Sequence, residues 1–168
     1  PVMLSGALYF LNRRLDLTKI PYWIRQASIG ILFGGLAVLG TECGIQIGGA
    51  VLNARDAAPL CAGLLFGAPA GILAGGIGGV ERWFAVYWGA GAYTRLACSV
   101  STVLAGLFAA ALRKYMFEDK KPRWYYALAA GVIMEVVHML MVFLTNMSDA
   151  RTAFTFVRTC SLPMIAVN

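Results

Sequence analysis

The chain has 168 residues, 60% of them hydrophobic and 13% charged, with a formal charge of +6. Soluble domains carry about 25% charged residues, so this density excludes a water-facing globule and implies an integral membrane protein. Continuous apolar runs without strict alternation exclude a β-barrel, and the lack of a long Lys/Arg run argues against a nucleic-acid partner.

Residues 1–12, "PVMLSGALYFLN", read as the tail of a truncated first span. A basic segment follows, with Arg13, Arg14, Lys19 and Arg25 against Asp16. Residues 26–41 carry no ionisable group. Then "AVLNARDAAP" places Arg55 and Asp56 together inside apolar sequence. Residues 57–80 are again free of ionisable groups apart from Cys61. Within them "GLLFGAPAGILAGGIGG" holds seven Gly and Pro69. Gly67, Gly71 and Gly75 recur every four residues. Small residues so spaced suit close helix packing in lipid. The rival reading is a helix broken at Gly67–Pro69, since irregular backbone at membrane depth is tolerated beside protein or water.

Residues 96–112 form the next apolar run, and "RKYMFEDKKPR" (113–123) is the strongest basic cluster, placed in the cytoplasm. A further span runs from Trp124 to about Asn146, interrupted by Glu135 and His138. The last begins near Ala153 and is still apolar at Asn168. The expectation is an all-α polytopic transmembrane bundle of about 5–6 spans, because each crossing takes about 20 residues. It is read as a single sensor domain over residues 1–168, a fragment whose last span continues and whose output module is absent. If 26–52, 57–80 and 96–112 each cross once, the two basic segments fall on opposite faces, against the positive-inside rule.

The four Cys (Cys43, Cys61, Cys98, Cys160) lie in apolar segments without metal-type spacing. Each ionisable group at membrane depth is a functional candidate, because its burial is costly. Arg82 closes one span. Arg95, Cys98 and Ser101 open the next, with Thr94, Cys98 and Ser101 or Thr102 on one helix face. A guanidinium binds a carboxylate through paired hydrogen bonds, so a small anion is the expected ligand. Glu135 and His138, three residues apart, are expected to form a structural pair. Arg158 is a candidate partner for Glu135 or Glu42. No metal or cofactor is expected, and no Ser/His/Asp arrangement or phosphate loop marks an enzyme.

Asn53–Asp56 (N-x-R-D), Gly63–Gly71 (G-L-x-x-G-x-P-x-G), the glycine-rich approach to Arg82, Cys98–Thr102 (C-x-x-S-T) with Gly106, Glu135–Met139 (E-x-x-H-M) and Pro163–Asn168 occur in order. Together they resemble the LytS-type five-transmembrane receptor domain, 5TMR-LYT, over about residues 28–168. The resemblance implies a sensor in the bacterial inner membrane, preceding a cytoplasmic histidine kinase, diguanylate cyclase, phosphodiesterase or phosphatase module. Dimerisation is expected because such outputs work as dimers. The resemblance also implies receptors for small carboxylates such as pyruvate, bound through Arg55, Arg82, Cys98 and Ser101. Asn53, from the first motif, and Arg95, from the helix mouth, complete the expected ligand-binding set. The family often has His before the second Arg; here it is Glu81, an acid able to neutralise Arg82, and the loop from Arg82 to Cys98 is longer. A carboxylate or vitamin transporter is the alternative reading, and an intramembrane enzyme using Glu135 and His138 a third.

Arg55 and Arg82 are 27 residues apart, about 40 Å along one straight helix. Both reach one small acid only if the chain between them folds back or breaks. The alternative is that "GIQIGGAVLNARD" enters the bilayer partway.

Overall fold

The computed structural model of the chain describes residues 20–47, 50–89 and 91–167. Helix α1 (Tyr22–Glu42) is followed by a short antiparallel hairpin, β1 (Ile45–Ile47) and β2 (Ala50–Leu52), in which Ile45 pairs with Leu52. Helix α2 (Ala57–Cys61) continues as a π-helical turn over Ala62–Phe66. Then come α3 (Ala68–Phe84), α4 (Arg95–Ala111) with a π-helical extension over Leu112–Met116, α5 (Trp124–Thr145) and α6 (Ala150–Val167). The helices are longest where the apolar runs are longest: 21 residues in α1 and 22 in α5, about 31–33 Å at 1.5 Å per residue. That matches a hydrocarbon core of about 30 Å. Among the described residues, Tyr22–Glu42, Ala92–Met116 and Trp124–Thr145 are each long and apolar enough to cross a membrane. Ile24, Ile31, Leu39, Leu107, Val136 and Leu140 are exposed on the outside of the bundle, where lipid replaces water as the solvent.

The bundle departs from the sequence expectation at Gly67. The carbonyl of Ala62 accepts from the Gly67 N–H (3.2 Å). Gly67 itself sits at φ +144°, ψ 159°, a region L side chains rarely adopt, and Pro69 follows in the first turn of α3. The chain reverses there. Gln26 on α1 clamps the reversal, donating to Phe66 O (2.9 Å) and accepting from the Ala70 N–H (3.2 Å). Breaks in membrane helices need such partners for the freed backbone groups. Gly67→Ala should lower stability by about 1–3 kcal/mol, the cost of a non-glycine in such a conformation. The added Cβ would also meet the Gln26 amide at 2.8 Å. Thermal denaturation in detergent measures this, and an unchanged midpoint would show that the reversal is soft.

Residues 57–80 are therefore two legs, not one. Gly30 and Gly34 of α1 face Leu73 and Ile77 of α3, and Ala37 faces Gly78, so α1 and α3 run parallel. The leg through α2 runs back between them, from Arg55 beside Gly40 to Phe66 beside Gln26. Helix α4 packs antiparallel to α3, with Gly71 against Gly106 and Gly79 against Ser99. Four legs thus separate Arg25 from Arg113, which brings the two basic ends to one face as the positive-inside rule requires. Arg113 seals that face, donating to Leu64 O (2.5 Å) beside the reversal. The fold-back is supplied by the α2 leg; of "GIQIGGAVLNARD", Ile45–Ile47 and Ala50–Leu52 form the hairpin strands that precede the turn into α2. Arg13, Arg14 and Lys19, and the span expected over 1–12, lie outside the described residues.

Three apolar clusters hold the legs together. Phe33, Ala62, Ala70 and Ala74 join α1, α2 and α3; Leu60, Leu64, Ala105, Ala109, Ala130 and Met134 join α2, α4 and α5; Met139, Cys160 and Met164 join α5 and α6. Asp149 caps α6 by accepting from the Thr152 N–H (3.2 Å), and that bond holds its carboxyl below the ordinary range.

Candidate functional site

The ends of α1 and α3 opposite the basic face, the entry to α2 and the start of α4 meet in the other half of the bundle, with the second half of α5 closing one side. Arg55 (0% exposed), Asp56 (3%), Arg82 (1%), Ser101 (0%), Glu135 (1%) and His138 (1%) are buried there. Such concentration of polar groups at membrane depth is costly and marks a site.

Each group is held for a local reason. The Asn53 side-chain oxygen accepts from the Arg55 backbone N–H (3.1 Å), a turn that Asn favours. Asn53 thus fixes the backbone from which Arg55 reaches inward. Arg55 Nε donates to Thr102 Oγ1 (2.6 Å) and lies 3.4 Å from Asp56 Oδ1, while Nη2 is 3.4 Å from the carbonyl oxygen of Cys98. Asp56 accepts from Thr102 (2.6 Å) and from Ser101 Oγ (3.1 Å). Its Oδ2 is also 3.2 Å from His138 Nδ1, which lies 3.4 Å from Glu135 Oε1. The other ring nitrogen, Nε2, is 3.3 Å from Cys98 Sγ. Arg82 Nη2 donates to the Gly91 carbonyl (2.7 Å) and to Thr94 Oγ1 (3.4 Å). Thr94 precedes Cys98 by one turn of α4.

Arg55 and Arg82 are thereby brought to the same end of the bundle despite their separation in sequence. Both lie within electrostatic reach of the half-buried Glu81, on the last turn of α3. Arg55 has a carboxylate beside it. Arg82 hydrogen-bonds only neutral oxygens among the described residues. Arg55 Nη1 and Arg82 Nε and Nη1 are buried donors without a hydrogen-bond acceptor among the described residues. Buried polar groups are normally satisfied, so these three donors call for an anion.

Arg95 is not brought into this cluster. Its guanidinium stacks on Trp83 (4.1 Å to the ring centre) and Tyr87 (5.1 Å), as Arg does at exposed aromatic sites. Arg158 is exposed on α6, and Glu42 accepts from Trp88 Nε1 (2.8 Å) instead. Conversely, Asp56, Thr102, Glu135 and His138 join the centre although the sequence reading gave them no binding role. The signal for His138 was present: it stands three residues after Glu135, at a spacing that shares a helix face.

Asp56, Glu135 and His138 also offer one ligand atom each within 4.8 Å of one another. The Arg55 guanidinium beside Asp56 and the hydroxyls on both Asp56 oxygens oppose a cation there. Cys98 and Cys160 are buried free thiols, Cys61 is partly buried and Cys43 is exposed.

The sequence model of the family described as 5TMR of 5TMR-LYT matches residues 9–168. The chain is similar to the sensor histidine kinase YpdA of Escherichia coli strain K12, 26% identical over 138 residues, 82% of this chain and 23% of that protein. It is equally similar to the sensor histidine kinase BtsS of the same strain, 26% identical over 141 residues, 82% of this chain and 24% of BtsS. BtsS of Shigella flexneri matches with the same figures. The chain therefore spans about a quarter of the length of the curated relatives it matches. No solved structure matches it.

Proposed function

The chain belongs to the 5TMR-LYT family, a multi-pass sensory domain of the bacterial inner membrane, and from that premise we propose that it captures a small carboxylate, of pyruvate size, between Arg55 and Arg82. One observation carries the reading. Arg82 is buried, hydrogen-bonds neutral oxygens, and keeps two donors without a hydrogen-bond acceptor among the described residues. A carboxylate supplies the missing charge and accepts from a guanidinium in paired fashion. Arg55 contributes a further donor, and Ser101 and Thr102 hold Asp56 away from Arg82 by bonding it.

Binding changes signalling only if two arrangements of the helices differ in affinity. Arg55 stands at the entry to α2 and Arg82 on the last turn of α3, and Arg55 is bonded to Thr102 of α4, so an anion drawing the two guanidinium groups together acts on the seams between these legs. In this reading a module beyond this chain, a histidine kinase as in the named relatives, receives the change, and the working receptor is a homodimer.

Thermal denaturation of the full-length receptor in detergent, against acetate, propionate, lactate, pyruvate and succinate, tests the proposal. A true ligand at about 100 times its dissociation constant stabilises by about 2.7 kcal/mol, and the shift should vanish in Arg82→Met. A flat panel, or a shift that survives in Arg82→Met, would overturn the reading.

A further inference from the structure

We propose that Cys98 adds reversibly to the carbonyl carbon of a 2-oxo acid, with His138 relaying the thiol proton. The inference rests on the carboxylate reading above and narrows it to one ligand class. It stands on the order of groups along one line through the site. Cys98 Sγ is 3.3 Å from His138 Nε2. On the far side of the ring, Nδ1 faces two acceptors, Asp56 Oδ2 at 3.2 Å and Glu135 Oε1 at 3.4 Å. The imidazole thus lies between two carboxylates on its Nδ1 side and the thiol at Nε2, placed to exchange a proton with Sγ. This is the geometry of an activated nucleophile: a thiol, a base in contact with it, and a third group orienting the base. All three side chains are buried, on three separate legs of the bundle.

The same thiol lies beside the carboxylate-binding donors. Arg55 Nη2 is 3.4 Å from the backbone oxygen of Cys98. Thr94, which Arg82 contacts, stands four residues before Cys98, one helical turn away. The addition requires that an acid gripped by the guanidinium groups turn its second carbon toward Sγ. In a 2-oxo acid that carbon is an electrophilic ketone. In a 2-hydroxy acid or a simple carboxylate it is saturated and inert.

The step balances without a further reactant. The Cys98 S–H proton passes to His138 Nε2. The sulfur adds to the ketone carbon, so that one C–S bond forms as the C=O π bond breaks. The alkoxide then takes the proton back from His138. The product is a neutral-hydroxyl hemithioketal with its carboxylate intact, and the same steps in reverse release the acid. Selectivity for the oxo group then comes from a bond that the guanidinium groups cannot make.

The experiment uses the full-length receptor in lipid nanodiscs, with pyruvate carrying carbon-13 at its second carbon, and with lactate and propionate as unreactive probes. Bound pyruvate should lose its ketone resonance and show a new tetrahedral carbon, distinct from the free hydrate. Cys98→Ala and His138→Gln should each abolish that signal and lower the ratio of pyruvate to lactate affinity by about tenfold or more. Pyruvate bound with its ketone carbon still trigonal would overturn the thiol addition and leave carboxylate capture standing. Failure of pyruvate, lactate and propionate alike to bind would overturn both.

Discussion

Arg55→Met should lower the stability of the receptor by about 3–5 kcal/mol, the cost of removing one partner of a buried ion pair, and should abolish any carboxylate-induced shift. The magnitude follows from what the substitution leaves behind. Asp56 is fully surrounded by protein, with Glu135 reaching the same imidazole. Without Arg55 two carboxylates crowd the same nitrogen of His138 in a lipid-enclosed site. Arg82→Met should differ in kind. It takes one donor from the Gly91 carbonyl, which still accepts from Thr94, and one from the Thr94 hydroxyl, worth about 0.5–1.5 kcal/mol, yet it removes a guanidinium with two donors left unbonded among the described residues. The pair of substitutions therefore separates architecture from ligand capture: one damages both, the other mainly the response. Chemical denaturation in mixed micelles, with and without ligand, reads the two quantities together. Adding Asp56→Asn to Arg55→Met should restore part of the lost stability, since it removes the stranded charge. Equal stability of Arg55→Met and the parent would show that Asp56 is solvated, contrary to its burial.

Gly106→Ala should destabilise the bundle by about 1–3 kcal/mol, the usual cost of overpacking a close seam, and should weaken ligand response as well. Backbones of α3 and α4 touch directly here. A Cβ at Gly106 would collide with the Gly71 carbonyl, and one at Gly75 would meet Thr102 O at 2.9 Å. Neither obstacle is the end of a flexible side chain, so the helices must separate. That same seam sets Cys98, Ser101 and Thr102 against Arg55 and Asp56, which ties the packing of small residues to the geometry of the site. Gly76 is the internal control, because a Cβ there meets nothing within 4 Å. Gly76→Ala should be neutral or stabilising by up to about 1 kcal/mol, as alanine is the better helix former. Unequal effects of these two substitutions would place the glycine stripe inside the domain rather than at a surface available to a second copy.

The amino-acid sequence by itself determined the class. So few charges among so many apolar residues leave no way to cover a water-facing surface, and the apolar runs are too long and too continuous for anything but helices in lipid. It also singled out Arg55, Arg82, Cys98 and Ser101, with Arg95 and Asn53, because several polar groups gather in and beside such runs and because the ordered motifs resemble one family. Even the break at Gly67–Pro69 was open to inspection, as one of two readings. Only the tertiary structure chose between them. The choice lies in a single backbone angle, and periodicity reports which residues share a face but not whether the axis continues. Once the chain reverses at Gly67, an extra leg appears, the basic ends share a face, and Arg55 and Arg82 meet at the other. The partners of Asp56 stayed hidden for a related reason. Thr102 and His138 stand 46 and 82 residues beyond it, and contacts across such separations depend on how the legs are turned against one another. Arg95 shows the converse: adjacent in sequence to the site, it is rotated onto Trp83 and Tyr87 by the pitch of α4, where its positive charge finds aromatic faces instead of an acid.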